Sequence, residues 1–378
     1  MKKTFKVFIF LSLVSLFADI VYEGGRPILG PYAYILGASA IFASLASFGE
    51  LISYIARFFS GLISTKIRSS KIYWFLIILG YALNLAIPFL AFTKNWFLAI
   101  ILIFIERIGK GLRAPVRDVI LAEVSEKFGK GKAFGLHETL DQIGAIIGPL
   151  IVSISLFFTN SYSIAFFILI IPAIFSIFFV LNAYFLYPEI KSIRKEYKKI
   201  KSNVFWVYSL LIFFTALGFI PWINFSYILK SENFADYFVS LLYFFAMLAD
   251  CLIAFPVGYL YDKIGPKTLI LMPIFSSLIV PLLLTKNYIL LIISSIFWGF
   301  VMSIFETNTR AIIADIMKRE ERALGYGIFG LLFGISWSIS SIIFGYLYEN
   351  FKYGILFFPI FFESIAFILL ILFLKKVE

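Results

Sequence analysis

Charge is scarce in this chain: Asp, Glu, Lys and Arg together make up 15% of its 378 residues, against roughly a quarter in soluble domains. With 61% of its residues apolar, its surface could not be solvated by water, which excludes a soluble globular protein. Cysteine is nearly absent as well. The single Cys251 lies inside an apolar stretch with no partner for an internal disulfide, so no thiol or redox chemistry is indicated. Histidine occurs once, at His137, and there is no H-E-x-x-H, no G-x-S-x-G and no P-loop, so a membrane enzyme would lack recognisable catalytic equipment. What abounds is aromatic: 47 Phe and 21 Tyr, whose rings sit well among acyl chains and headgroups. The mean hydropathy of +0.97 makes the bilayer the solvent for this chain.

About 30 Å of hydrocarbon takes roughly 20 apolar residues as a helix. Twelve stretches qualify, at 5–30, 36–63, 72–92, 95–120, 133–158, 162–187, 204–229, 236–261, 267–285, 288–316, 323–348 and 353–374, which predicts an all-α integral membrane protein. The first outlasts the apolar core of a signal peptide and no A-x-A-like site follows, so it reads as a retained helix. Basic residues alternate between the connections. Lys2, Lys3 and Lys6, then Lys66, Arg68 and Lys71, Lys127, Lys130 and Lys132, the run 191–201, Lys263 and Lys267, Lys318, Arg319 and Arg322, and Lys375 and Lys376 share one side; Arg26, Lys94, Lys230, Lys286 and Lys352 hold the other. The positive-inside rule then predicts a multi-pass protein of the plasma or inner membrane with both termini cytoplasmic. The formal charge of +11 follows from that topology and calls for no nucleic acid.

The one long polar connection, 188–203, reads as a cytoplasmic linker between halves 1–187 and 204–378. The halves repeat one another: Ala122-Glu123 with Lys132-Ala133-Phe134-Gly135 recurs as Ala314-Asp315 with Arg322-Ala323-Leu324-Gly325. Duplicated six-helix bundles are what alternating access requires, one rocking against the other around a site near the midplane.

Gly258-Tyr259-Leu260-Tyr261-Asp262-Lys263-Ile264-Gly265-Pro266-Lys267 resembles the G-x-L-x-D-R/K-x-G-R/K-R/K signature of the major facilitator superfamily, and Gly61 to Arg68 is a degraded copy with Thr65 in the acid's position. Gly144-Ala145-Ile146-Ile147-Gly148-Pro149 resembles the G-x-x-x-G-P core of a superfamily motif associated with antiporters, without its following Gly-Gly pair; small residues at that spacing equally allow close helix packing. The run Glu106 to Asp118, with Ala133 to Glu138, Asp141-Gln142 and Asp19 to Arg26, is similar to a branch of prokaryotic permeases. The resemblance implies the major facilitator fold, twelve helices in two pseudo-symmetric six-helix bundles, and a transporter; it is silent on substrate.

Ionisable residues inside a bilayer are costly and therefore point to function. Asp19, Tyr22, Glu23 and Arg26, then Glu50, Tyr54 and Arg57, then Glu106 and Arg107 fall near the midplane or outward of it, and predict a substrate or proton site. Lys110, Arg113, Arg117 and Asp118, with His137, Glu138 and Asp141, fall further toward the cytoplasm and predict a salt-bridged gate; Gly258, Asp262, Lys263, Gly265, Arg310 and Asp315 form its counterpart in the second half, with Arg310 and Asp315 expected to pair with Asp262. The alternative for Asp19 and Glu23 is a static salt bridge to Arg26, Arg57 or Arg107, for Glu50 and for Glu106 with Arg107 a structural pairing, and for Arg113 and Arg117 the binding of an anion. A second-half cavity could draw on Trp222, Asn224, Tyr243, Asp250, Trp298, Glu306 and Asn308, and Glu363 adds a buried acid. The leading expectation is a monomeric, proton-coupled exporter (antiporter) of a small organic or drug-like molecule, with no cofactor beyond the proton. The alternatives are an inorganic cation carrier using Asp19, Glu23 and Glu50 as oxygen ligands, a lipid scramblase, and a ligand sensor without transport. No metal ligand set is assigned from the sequence.

Overall fold

In hydrocarbon only a helix or a closed barrel satisfies every backbone N–H and C=O, so apolar stretches about 20 residues long fold as helices. The computed structural model describes residues 2–67, 69–125, 130–190, 203–318 and 321–377, and among them every regular element is helical. Those of 13 residues or more are numbered here in chain order: α1 (Lys2–Gly25), α2 (Phe48–Ile67), α3 (Ser70–Ala82), α4 (Trp96–Val124), α5 (Lys130–Thr159), α6 (Ile170–Leu186), α7 (Asn203–Gly218), α8 (Asp236–Ile264), α9 (Leu271–Leu284), α10 (Tyr288–Ile316), α11 (Arg322–Asn350) and α12 (Gly354–Val377). Proline divides several of them, because it removes a backbone donor and clashes with the preceding turn. Pro27 opens a tight turn after α1, before the short helix Leu29–Ile35, and Pro221 precedes the short helix Trp222–Ser231 after α7. The basic run 191–201, Arg68, and the side chains of Thr65 and Arg310 lie outside the described residues.

Among the described residues ten continuous helical runs are long and apolar enough to cross a membrane. One of them, Asp236–Leu284, is 49 residues long and contains two of the twelve expected segments, divided where Gly265 takes φ +61° and Pro266 follows. The glycine is required there, since a side chain would clash in the left-handed region. Helix α4 falls outside the ten because its 29 residues include seven charges, which belong in a polar interior rather than against lipid. One fused pair and one charged helix therefore account for the difference between ten and twelve.

The chain forms two compact units. The first comprises Met1–Leu36, Ile52–Lys195 and Ala235–Ser240; the second comprises Gly37–Leu51, Glu196–Phe234 and Leu241–Glu378. Each draws mainly on one half of the sequence and also takes in a short piece of the other, held by hydroxyl and amide bonds. In the first unit Ser240 donates to the Pro149 carbonyl at 2.9 Å and Ser153 to the Tyr237 carbonyl at 2.8 Å. In the second, the Asn224 amide donates to Ser44 Oγ at 2.8 Å and to the Ser341 carbonyl at 2.9 Å, while Ser341 Oγ donates back to Asn224 Oδ1 at 2.6 Å. Fully paired polar groups of this kind fix one register of helix against helix.

Three connections of the second unit meet at Glu232, which accepts from Lys286 and, at 2.6 Å, from Lys352. Hydrogen bonds from the two ammonium groups hold this carboxyl below its ordinary range. A carboxylate depressed in the folded state adds stability above its unfolded pKa and loses it as pH falls through the folded value. Both lysines are 52% exposed, so solvent screening limits the contribution to roughly 0.2–1 kcal/mol. Thermal unfolding of wild type and Glu232→Gln should therefore differ at neutral pH and converge below the carboxylate range; curves that stay parallel would remove the clamp.

Candidate functional site

Helices approach closely only where side chains are absent, and glycines in the first unit draw four helices together. A Cβ on Gly148 would meet Gly24 N at 2.7 Å, and one on Gly144 would meet Asp19 Cβ at 3.1 Å, so the Gly144-x-x-x-Gly148 spacing lets α5 lie directly on α1. Likewise Gly80 and Gly109 face one another: a Cβ on either would come within 2.7 Å of the other's carbonyl oxygen, which brings α3 against α4. Polar side chains at those crossings then have nowhere to go but toward each other.

Around Tyr22 they form a mixed-charge cluster. Arg107 Cζ lies 3.4 Å from the ring centroid, Lys110 Nζ 4.2 Å and Arg26 Cζ 5.6 Å, a geometry in which the ring's quadrupole attracts cations. Glu106 is fully buried (0% exposed); its Oε2 lies 2.9 Å from Arg107 Nε and its Oε1 4.0 Å from Arg113. Neither oxygen accepts a hydrogen bond in good geometry, so charge rather than direction holds the trio. Arg113 donates to the Gly80 carbonyl at 2.9 Å and lies over the Tyr81 ring at 4.6 Å. Glu23 pairs with Arg26 at 3.5 Å.

A second group continues from the first. Arg117 donates to Ser15 Oγ at 2.8 Å and to Asp118 Oδ1 at 2.9 Å. His137 is buried between Ser12, 3.2 Å from its Nδ1, and Ser15, 3.4 Å from its Nε2, with Asp141 Oδ2 3.8 Å from Nε2. Asp19 is half-buried and its charged neighbours are Asp141, Lys110, Glu23 and Arg113. The expected midplane and gate layers are thus one continuous polar chain, linked through Arg113, Tyr81 and Ser15, since the Tyr81 hydroxyl lies 3.4 Å from Ser15 Oγ.

Other expected members sit elsewhere. Glu50 is grouped with the second unit; Arg57 is exposed and lies 5.5 Å over the Tyr54 ring; Glu138 is exposed. Asp315 accepts the hydroxyl of Tyr261 at 2.6 Å, and the expected pairing of Arg310 and Asp315 with Asp262 involves a side chain, that of Arg310, outside the described residues. Lys263 lies 4.5 Å over the Tyr259 ring. Gly258, Asp262 and Asn308 line a cavity of about 350 Å³, where Asn308 is fixed by donating to Thr268 Oγ1 at 2.8 Å. Trp222, Tyr243 and Trp298 pack against one another at 4.6–5.8 Å between centroids, each at most 1% exposed: a filled aromatic core. Asp250 is buried and Glu306 half-buried. Among the described residues no three of His, Cys, Asp and Glu converge to hold a metal ion; Asp19 and Glu23 belong to the first unit and Glu50 to the second. Sequence reasoning missed Ser12, Ser15 and Tyr81; Ser12 and Ser15 lie on the same i, i+3, i+4 stripe of α1 as Asp19 and Glu23, which was the available signal.

Several known proteins resemble the whole chain. An uncharacterized protein of Mycobacterium bovis is 32% identical over 353 residues, 89% of this chain and 85% of its own. An uncharacterized MFS-type transporter of Methanocaldococcus jannaschii is 27% identical over 380 residues, 91% of this chain and 90% of its own. Among solved structures, the nucleoside transporter NupG superposes with a TM-score of 0.72 at 15% identity, over 98% of this chain and 99% of its own. A POT family transporter in complex with 5-aminolevulinic acid gives 0.70 at 15% identity, over 97% and 95%. At such identities these two are likenesses of fold. The sequence profile of the Major Facilitator Superfamily matches residues 11–249 and 225–378. An all-helical membrane chain matched by that profile from residue 11 to its end belongs to the major facilitator superfamily and is a multi-pass transporter rather than an enzyme.

Proposed function

We propose that this transporter exports a small organic molecule in exchange for protons, working by alternating access as a monomer in the plasma or inner membrane with both termini cytoplasmic. The orientation rests on the basic connections, which share one side of the membrane. The observation that carries the coupling is the packing of α5 on α1 at Gly144, where a Cβ would meet Asp19 Cβ at 3.1 Å, so that Asp141, one turn before Gly144, acts on the Asp19 carboxyl together with Lys110 and Arg113. Two carboxylates that share a desolvated site ionise at separate pH values, and a cation beside them lets one proton enter or leave as the charges rearrange. An organic solute suits the mixed charges around Tyr22, and the solved structures compared above carry a nucleoside transporter and a 5-aminolevulinic acid complex on this fold.

The test is transport in proteoliposomes with an imposed pH gradient, using a panel of organic solutes and a pH-sensitive dye inside the vesicles. A solute-dependent proton flux that an uncoupler abolishes is the expected result. Solute flux that ignores both the gradient and the uncoupler would remove the coupling and leave a facilitator.

A further inference from the structure

Helix α7 ends at Gly218, and helical structure resumes at Trp222. In hydrocarbon the carbonyls released by such a break need donors, and the second unit supplies them. Ser340 donates to the Phe219 carbonyl at 2.9 Å, and the Trp298 indole N–H donates to the Ile220 carbonyl at 2.9 Å. The break is therefore a built feature with its own polar supports, of the kind transporters place at their working points.

Packed on the last residue of α7, at the edge of the break, is a carboxylic side chain. A Cβ on Gly218 would lie 3.0 Å from Glu363 Oε1 and 3.2 Å from its Cδ, so the carboxyl rests directly on this glycine and would have to give by a few tenths of an ångström to any larger residue. Glu363, in α12, is 2% exposed. Its Oε1 accepts the Ser276 hydroxyl of α9, and its Oε2 has no hydrogen-bond partner. The elements packed against α12 are α7, α9, α11 and the turn Gly265–Ile270. Helix α9 has no titratable residue, α7 has Tyr208, the turn has Lys267, and α11 has Arg322, Tyr326, Tyr346, Tyr348 and Glu349. None of these bonds to Glu363, on whose carboxyl burial and Ser276 are what act. An ionised carboxylate with a single neutral donor and no cation costs far more in such surroundings than the neutral acid.

We infer that Glu363 is a proton-binding site of this transporter, carried as the neutral carboxylic acid against the break in α7. The inference stands on the second unit alone and does not depend on proton exchange at Asp19 and Asp141. Loss of the proton would set a bare charge against the Gly218 backbone, with only the Ser276 hydroxyl to answer it. Proton occupancy and the geometry of the break are consequently linked, and each biases the other.

Infrared difference spectra of the full-length protein in phosphatidylcholine vesicles at neutral pH test this directly. Wild type minus Glu363→Gln should contain the carbonyl stretch of a neutral acid, shifted in heavy water because the proton exchanges. Ser276→Ala should move that band while leaving the protein folded, which keeps the question answerable if Glu363→Gln does not fold. A carboxylate pair of bands lost in Glu363→Gln, or a neutral-acid band indifferent to Ser276→Ala, would overturn the inference. Failure of the pH-gradient assay described above would leave these bands in place, so the two readings fail separately.

Discussion

Glu106→Leu should cost about 3–5 kcal/mol of stability, because removing one member of a buried ion pair leaves the other as an uncompensated charge. Glu106 is fully buried, and Arg107 and Arg113 are each 4% exposed. Arg113 keeps the Gly80 carbonyl and the Tyr81 ring, but neither carries a full negative charge. Arg107 keeps the Tyr22 face at 3.4 Å, worth roughly 2 kcal/mol or more when desolvated and too little to replace a carboxylate. The double variant Glu106→Leu, Arg107→Met should recover part of the loss, since apolar groups of similar volume replace the closer pair at little cost while Arg113 stays without its carboxylate. Thermal unfolding of the purified proteins in detergent, with chromatography to score dispersity, measures both. A single variant that melts with wild type would mean that Glu106 is not the counter-charge its position indicates.

The charges of α4 were legible because a helix with seven of them in 29 residues must face a polar interior, and helical spacing names the face. Spacing does not name the neighbour across the gap. Arg57 and Glu50 share a helix face in the sequence, yet Arg57 lies over Tyr54 and Glu50 is grouped with the second unit. Serine was illegible for another reason. A helical serine usually bonds a carbonyl of its own preceding turn, as Ser338 does with Gly334, so the sequence puts Ser15 on the polar stripe of α1 without naming Arg117, His137 and Tyr81 as the residues it joins. The Gly144-x-x-x-Gly148 pair was readable as either an antiport motif or a packing device, and the geometry supplies the packing device. Composition also could not distinguish a cavity wall from a core: Trp222 and Trp298 are spent on each other and on the backbone of the α7 break. The break itself was visible only as Pro221, since what supports its carbonyls comes from residues 78 and 121 positions along the chain.

Asp19→Asn combined with Asp141→Asn should abolish uphill transport while preserving the fold. The two carboxyls lie on α1 and α5, held in place by glycine packing that asparagine leaves undisturbed, since Gly144 accommodates the Asp19 Cβ and not its carboxyl. Each substitution keeps the shape and removes the exchangeable proton. Mutual repulsion between the acids also disappears, so thermal stability should hold or rise. Lys110 and Arg113, which act on Asp19, then face amides whatever the external pH, and the rearrangement loses its driving proton. If one proton exchanges per solute, each pH unit of gradient supplies about 1.4 kcal/mol, or about tenfold accumulation. In the double variant that ratio should fall to about one while downhill exchange of labelled solute continues. Accumulation that stays near tenfold per pH unit in the double variant would locate the coupling proton elsewhere in the chain.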